Sequence, residues 1–221
     1  MEAYLGISTD KLLTAGAETI YMVCISLFIG AIIAFPLAIL LYLTRKNGMY
    51  QNRFVNGLLN IIINVIRSTP FIIMLVCGMP LTKVLVGTRI GTKAALVPLT
   101  IYIAPYLARL MEGALLETKA GIIEAAEAMG ATPLQIVWHF ILPESLGSLI
   151  LTITTGTIGL IGATAMAGYI GGGGIGNIAL TYGYQQFNNR LMFFTVLILI
   201  IVVQLIQNLG TWASAKIRRA R

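Results

Sequence analysis

The sequence predicts an all-α integral membrane protein with five transmembrane helices, and three observations lead there. Of its 221 residues, 57% are hydrophobic and 10% are charged, whereas a soluble domain of this length carries about 25% charge. The mean hydropathy is +0.88. The charged residues are also spaced so that five charge-poor runs remain, each near the roughly 20 residues needed to cross hydrocarbon. Too few charged side chains exist to clothe a globule in water. Disorder, a coiled coil and an ordinary cytosolic enzyme are excluded, and 1–221 reads as a single transmembrane domain.

The first span, about 19–44, lies between Glu18 and Arg45. The second, about 57–79, has Arg67 inside it. The third, about 94–115, contains Pro98 and Pro105 and ends in Arg109 and Glu112. Residues 116–145 follow as a loop holding Glu117, Lys119, Glu124, Glu127, His139 and Glu144. Residues 146–189 carry no charge, so a fourth span near 146–168 runs into a glycine-rich loop. The fifth span occupies about 191–213.

Five spans put the termini on opposite sides. With the C-terminus inside, the cytoplasmic loops hold Arg45, Lys46, Arg53, Lys119, Lys216, Arg218, Arg219 and Arg221, eight basic residues. The outer loops hold five, Lys11, Lys83, Arg89, Lys93 and Arg190. Positive residues accumulate on the cytoplasmic side, which predicts an outside N-terminus and a cytoplasmic C-terminus. The net charge of +7 is thereby read as loop anchoring. A nucleic-acid partner would require a clustered basic stripe, and the one dense run is Lys216–Arg221 at the end. Cys24 and Cys77 lie in apolar stretches and read as small core hydrophobes, with no disulfide or metal pair implied. Glu2, Asp10 and Lys11 near the start leave no basic n-region, so no cleaved signal peptide is expected.

The loop 116–145 is the most informative segment. Glu124-Ala125-Ala126-Glu127-Ala128-Met129 is strong helix material, and Gly130 is placed to end it in the left-handed conformation. Thr132 can then act as N-cap, Pro133 as first helical residue and Gln135 as the capping-box partner. A second short helix, about 133–141, is expected to stop before Pro143. The result is helix, tight turn, helix, a unit compact enough to transmit force.

These residues resemble the EAA loop of binding-protein-dependent ABC importer permeases: Glu124-Ala125-Ala126, Gly130 six residues after Glu124, and Leu142-Pro143. Phe140 stands where that pattern usually has Ile, an apolar replacement. Further stretches are similar to the methionine-importer subgroup: Arg67-Ser68-Thr69-Pro70-Phe71-Ile72-Ile73, Gly87-Thr88, Val97-Pro98-Leu99-Thr100, Ala104-Pro105 with Ala108-Arg109, and Met129 through Pro133. The resemblance implies a type I ABC importer permease fold in a bacterial inner membrane, acting as a homodimer. It implies that Glu124, Ala125, Ala126, Gly130, Ala131, Thr132, Pro133, Leu142 and Pro143 form coupling helices docked on a separate ATPase. Two such ATPase subunits would bind the ATP and Mg, with no cofactor in this chain. A periplasmic binding protein, often a lipoprotein, would deliver an amino acid, methionine for this subgroup.

Other polar residues leave two roles open. Arg67 costs roughly 2.5–3.5 kcal/mol at a helix centre, so it must snorkel, pair or line a cavity. Asn56, Asn60, Asn64 and Arg67 fall along one helical face, which either borders the translocation path or the dimer axis, or bonds neighbouring helices. Arg109 and Glu112, three apart, are expected to form an ion pair. Gly171, Gly173 and Gly176 satisfy G-x-G-x-x-G, but that motif requires a preceding strand, and a membrane span precedes it here. The glycines suit close backbone approach and a re-entrant turn. The resemblance places a periplasmic gate near Met166, for which core packing is the other reading. Gln204, Gln207 and Asn208 gather on the last span, and His139 lacks the His or Cys companions of a metal site.

No G-x-x-x-x-G-K-[ST] occurs, so the energy for ATP-driven transport must come from another subunit. An ATPase-independent channel or ion-coupled carrier is the alternative function, opposed by the lack of any Asp in a span. A structural assembly factor is a third.

Overall fold

A computed structural model describes residues 6–219; Glu2 and Arg221, used above, lie outside them. Ser8 caps the first helix, α1, Thr9–Thr44, whose 36 residues extend to about 54 Å. It begins nearly three turns before the apolar run expected at about 19. Asn52 caps α2, Arg53–Ser68, by accepting from the N–H groups of Phe54 and Val55. Two short helices follow, α3, Phe71–Cys77, and α4, Met79–Val86. Next come α5, Thr92–Leu116, α6, Ala120–Ala128, and α7, Pro133–Ile136. A wide π-type turn, Val137–Ile141, joins α7 to α8, Leu142–Ala167. After the glycine-rich loop come α9, Gly174–Asn177, a second wide turn, Ile178–Tyr184, and α10, Asn189–Arg219.

Four stretches are long and apolar enough to cross a membrane, Thr9–Thr44, Thr92–Leu116, Pro133–Ile170 and Asn189–Arg219, and a fifth if the bent pair α2–α3 is counted as one. That pair stands where one span is expected at about 57–79. Its axis turns by 99° at Thr69-Pro70, where ψ values of 123° and 132° take the backbone out of the helical region. Pro70 causes this by disfavouring the α conformation in the residue before it.

Pro143 has the opposite outcome to the one its position suggests. The second short helix does not end before it but runs on into α8. Proline normally clashes with the carbonyl four residues back. Here the preceding turn is widened, with the Leu142 N–H donating to Val137 O five residues back, and Pro143 sits in the first turn of the next helix.

The main core cluster runs through α1, α5 and α8 and includes Ala126, Ile136, Val137 and Ile141, and a smaller one joins Ile7, Ala15, Ile175, Ile178 and Leu191. Small residues let the spans approach. A Cβ on Gly30 would lie 2.3 Å from Ile103 Cγ2, one on Gly156 2.4 Å from Leu107 Cδ2, and one on Gly210 2.0 Å from Thr154 Oγ1. Cys24 and Cys77 are exposed free thiols, which corrects their reading as core residues. In a bilayer an outward apolar side chain has no water to avoid, so hydrophobicity alone does not place it inside.

Candidate coupling hairpin and glycine loop

The helical hairpin forms as its local sequence dictates. Gly130 has φ +78°, and its N–H donates to Glu127 O at 2.9 Å while the Ala131 N–H donates to Ala126 O at 3.1 Å. Thr132 and Gln135 make the reciprocal capping box: the Thr132 N–H donates to Gln135 Oε1 at 2.8 Å and the Gln135 N–H to Thr132 Oγ1 at 3.4 Å. Pro133 is the first helical residue. One face of this hairpin is anchored in the main core through Ala126, Ile136, Val137 and Ile141, and the Trp138 ring meets Phe35 of α1 at 6.1 Å. The other face presents Glu124, Ala125, Gly130 and Thr132 to the outside, together with Met129 at 68% and Leu134 at 55% exposure. Leu142 is buried and Pro143 half-buried at the base. His139 Nδ1 lies 3.2 Å from its own helix's Gln135 O.

The polar face of α2 divides into two halves. Asn56 Nδ2 donates to Leu41 O and to Thr44 Oγ1 of α1, both at 3.2 Å. Asn60 donates to Asn56 Oδ1 at 2.9 Å and accepts from Arg109 of α5. Arg109 is also paired with Glu112 at 2.7 Å, with side-chain exposures of 27% and 10%. The lower half of the stripe is thus an interhelical bond network joining α1, α2 and α5. Asn64 and Arg67 continue the same stripe and are exposed; Arg67 stands one residue before the end of α2.

At the opposite end, the glycine loop is packed backbone against backbone. A Cβ on Gly168 would lie 2.7 Å from Asn177 Cα, and one on Gly176 2.2 Å from Ala165 Cα. The Gly172 N–H donates to Ala167 O at 3.0 Å. Met166, immediately before, is 48% exposed and so is not core. Gln204, Gln207 and Asn208 are exposed on α10 and bond along their own helix, Gln204 to Asn208 at 3.4 Å and Gln207 to Thr211 at 3.2 Å.

Two attachments are not visible in the sequence. Near the hairpin, Arg218 lies flat over Gly147 and donates to Ser148 Oγ at 2.9 Å, while Ser148 donates to Glu117. Beside it, Ser214 Oγ donates to Gly147 O at 2.8 Å. These bonds pin the end of α10 to the start of α8, next to the hairpin. At the loop end, Glu18 and Thr19 bond the first residues of α9. The only hint of the first is the small pair Gly147-Ser148 near the helix start; of the second, Glu18 at the edge of an apolar run. Among the described residues no three His, Cys, Asp or Glu gather as a metal site.

The comparisons with known proteins agree with this geometry. The model of the family described as binding-protein-dependent transport system inner membrane component matches residues 26–219. The chain belongs to this family. Among similar permeases of known name, the probable D-methionine transport system permease protein of Vibrio cholerae is 44% identical over 98% of this chain and 95% of its own length. The methionine import system permease protein of Bacillus subtilis is 43% identical, with 92% of each chain covered. A chain solved in inward-facing conformations of the MetNI methionine ABC transporter superposes with a TM-score of 0.92 at 42% identity, covering 96% of this chain and 99% of that one. An amino acid ABC transporter solved with histidines, at 17% identity and a TM-score of 0.78, shares the fold. The fold of this permease is that of a type I ABC importer permease.

Proposed function

We propose that this chain is the membrane-spanning subunit of an ATP-driven methionine importer. The observation that carries the reading is the hairpin 120–141: one face is fixed in the transmembrane core, the other offers Glu124, Ala125, Gly130, Met129 and Leu134 to a partner. A body so built moves the spans when its outer face is pushed. Two copies of the chain, single domains over 1–221, form the pathway, and two separate ATPase subunits bind ATP and Mg and press on the hairpins. Glu124, Ala125, Ala126, Gly130, Ala131, Thr132, Pro133, Leu142 and Pro143 are the coupling residues. The chain itself does no chemistry. Closure of the ATPases shifts the spans between inward-open and outward-open states, a population shift between two global conformations.

The bacterial inner membrane is the site of action, with the C-terminus and the hairpin in the cytoplasm and the glycine loop outside. The basic residues at the hairpin end support that orientation. A periplasmic binding protein delivers the amino acid to the outer face. Asn64, Arg67 and Met166, exposed in the single chain, border the pathway and its gate, and Asn60 anchors the base of that stripe. Methionine as the substrate is supported by the names of the permeases this chain is similar to.

The reading is tested by radiolabelled methionine uptake in cells carrying the complete system. Depleting ATP abolishes uptake, and collapsing the ion gradients at constant ATP leaves it. The reverse pattern overturns the proposal in favour of an ion-coupled carrier.

A further inference from the structure

Glu18 crosses from α1 to the glycine loop, 156 residues away, where its Oε2 accepts from the Gly174 N–H at 2.7 Å. The next residue repeats the contact, Thr19 Oγ1 accepting from the Ile175 N–H at 2.9 Å while donating to Ala15 O at 3.0 Å. The loop is shaped to admit both side chains. Gly173 and Gly174 have φ of +78° and +87°, and Cβ atoms there would lie 2.3 Å from Glu18 Oε2 and 2.8 Å from Thr19 Oγ1. Glycine is needed twice over, for backbone conformation and for space.

The two edges of the loop are held differently. Against α8 the contact is backbone on backbone at Gly168 and Gly176, a fit that does not part without unfolding the turn. Against α1 it is two side-chain hydrogen bonds, one of them charge-assisted, beside a small apolar cluster that joins Ile175 and Ile178 to Ala15. Glu18 also stands on the wall between two open cavities. One, of about 510 Å³, includes Tyr21, Thr88 and Lys93; the other, of about 260 Å³, includes Asp10, Thr14 and Tyr182. Solvent on both sides can take over the carboxylate's bonds when the loop leaves. Met166, two residues before Gly168, stands on the end of α8 against which the loop is packed.

We propose that Glu18 and Thr19 are positioning residues, a latch that holds the glycine loop and Met166 in the closed state and releases Gly174 and Ile175 when the outer end opens. This rests on the loop end being the gate. The test uses the permease purified with its ATPase and reconstituted in vesicles, in a Cys24→Ser, Cys77→Ser background. An added Thr19→Cys, Ile175→Cys pair is oxidised with copper phenanthroline. The Ile175 N–H lies 2.9 Å from Thr19 Oγ1, which makes the two positions neighbours, and residue 175 needs no glycine. Oxidation is expected to cut ATP-driven methionine uptake at least tenfold, and reductant to restore it. Equal uptake in both redox states overturns the latch.

A separate Met166→Cys variant, crosslinked between the two copies, tells the two readings apart. Arrest there without arrest at 19–175 overturns the latch alone, and arrest at neither overturns the gate. Independently of any cysteine, Glu18→Ala is expected to lower methionine transported per ATP hydrolysed at least fivefold with the ATPase still bound. Glu18→Gln, which keeps a carbonyl acceptor, is expected to regain at least half. A wild-type ratio in Glu18→Ala overturns the proposal.

Discussion

Gly130 offers the cleanest test of how the hairpin couples, because its surroundings contribute nothing to the cost of substitution. Its φ is +78°, and a Cβ added there meets no atom within 4 Å. The penalty is therefore purely that of an L-residue in the left-handed region, roughly 1–2 kcal/mol. Alanine is expected at about 1 kcal/mol and valine at about 2 kcal/mol or above, since branching at Cβ restricts the backbone further. Asparagine tolerates the conformation and is expected to be nearly neutral. At 1.4 kcal/mol per factor of ten, valine shifts the hairpin away from its docked shape by roughly 30-fold. The three variants are assayed for retention of the ATPase on purification and for methionine uptake in vesicles. The expected order is Asn, Ala, Val, with Gly130→Val inserted in the membrane but uncoupled or stripped of ATPase. Wild-type behaviour of Gly130→Val, or a Gly130→Asn variant as defective as valine, refutes the backbone argument.

Arg109→Leu strands the carboxylate of Glu112, which is buried at 10% side-chain exposure, and is expected to destabilise the complex by about 3–5 kcal/mol. Adding Glu112→Leu should recover most of the loss in thermal unfolding in detergent. Thr132→Ala removes the capping box and should cost about 1 kcal/mol. Thr157→Ala, whose exposed hydroxyl bonds only its own helix at 2.8 Å, serves as the silent control in the same melts. Gly210→Ala places a methyl 2.0 Å from Thr154 Oγ1 and should cost about 1–3 kcal/mol by overpacking, partly relieved by Thr154→Ala.

Local rules made the hairpin legible: Gly130, Thr132, Pro133 and Gln135 lie close together in the chain, and the left-handed cap and capping box form as the sequence dictates. The apolar runs 19–44, 94–115, 146–168 and 191–213 fall within the four helices long and apolar enough to cross a membrane, and the run 57–79 falls on the bent pair. Proline was less readable. Pro70 turns the chain sharply while Pro143 is absorbed by a widened turn, and which occurs depends on whether neighbouring backbone can shift its hydrogen-bond register. The Asn stripe could not be divided between packing and pathway from its spacing, since Asn60 is committed by Arg109, 49 residues on. The bonds of Glu18 to Gly174 and of Arg218 to Ser148 join residues far apart in the chain, and no local pattern announces such pairs. The cysteines misled because apolar character marks the interior only in water.

The measurement closest to the centre of this account is methionine uptake into vesicles holding the purified permease, with and without its ATPase, supplied with binding protein and ATP. Uptake that requires the ATPase, and that falls in step with ATPase retention across the Gly130 variants, is the predicted result. Concentrative uptake by the permease alone, or uptake in Gly130→Val equal to wild type with the ATPase bound, would contradict it.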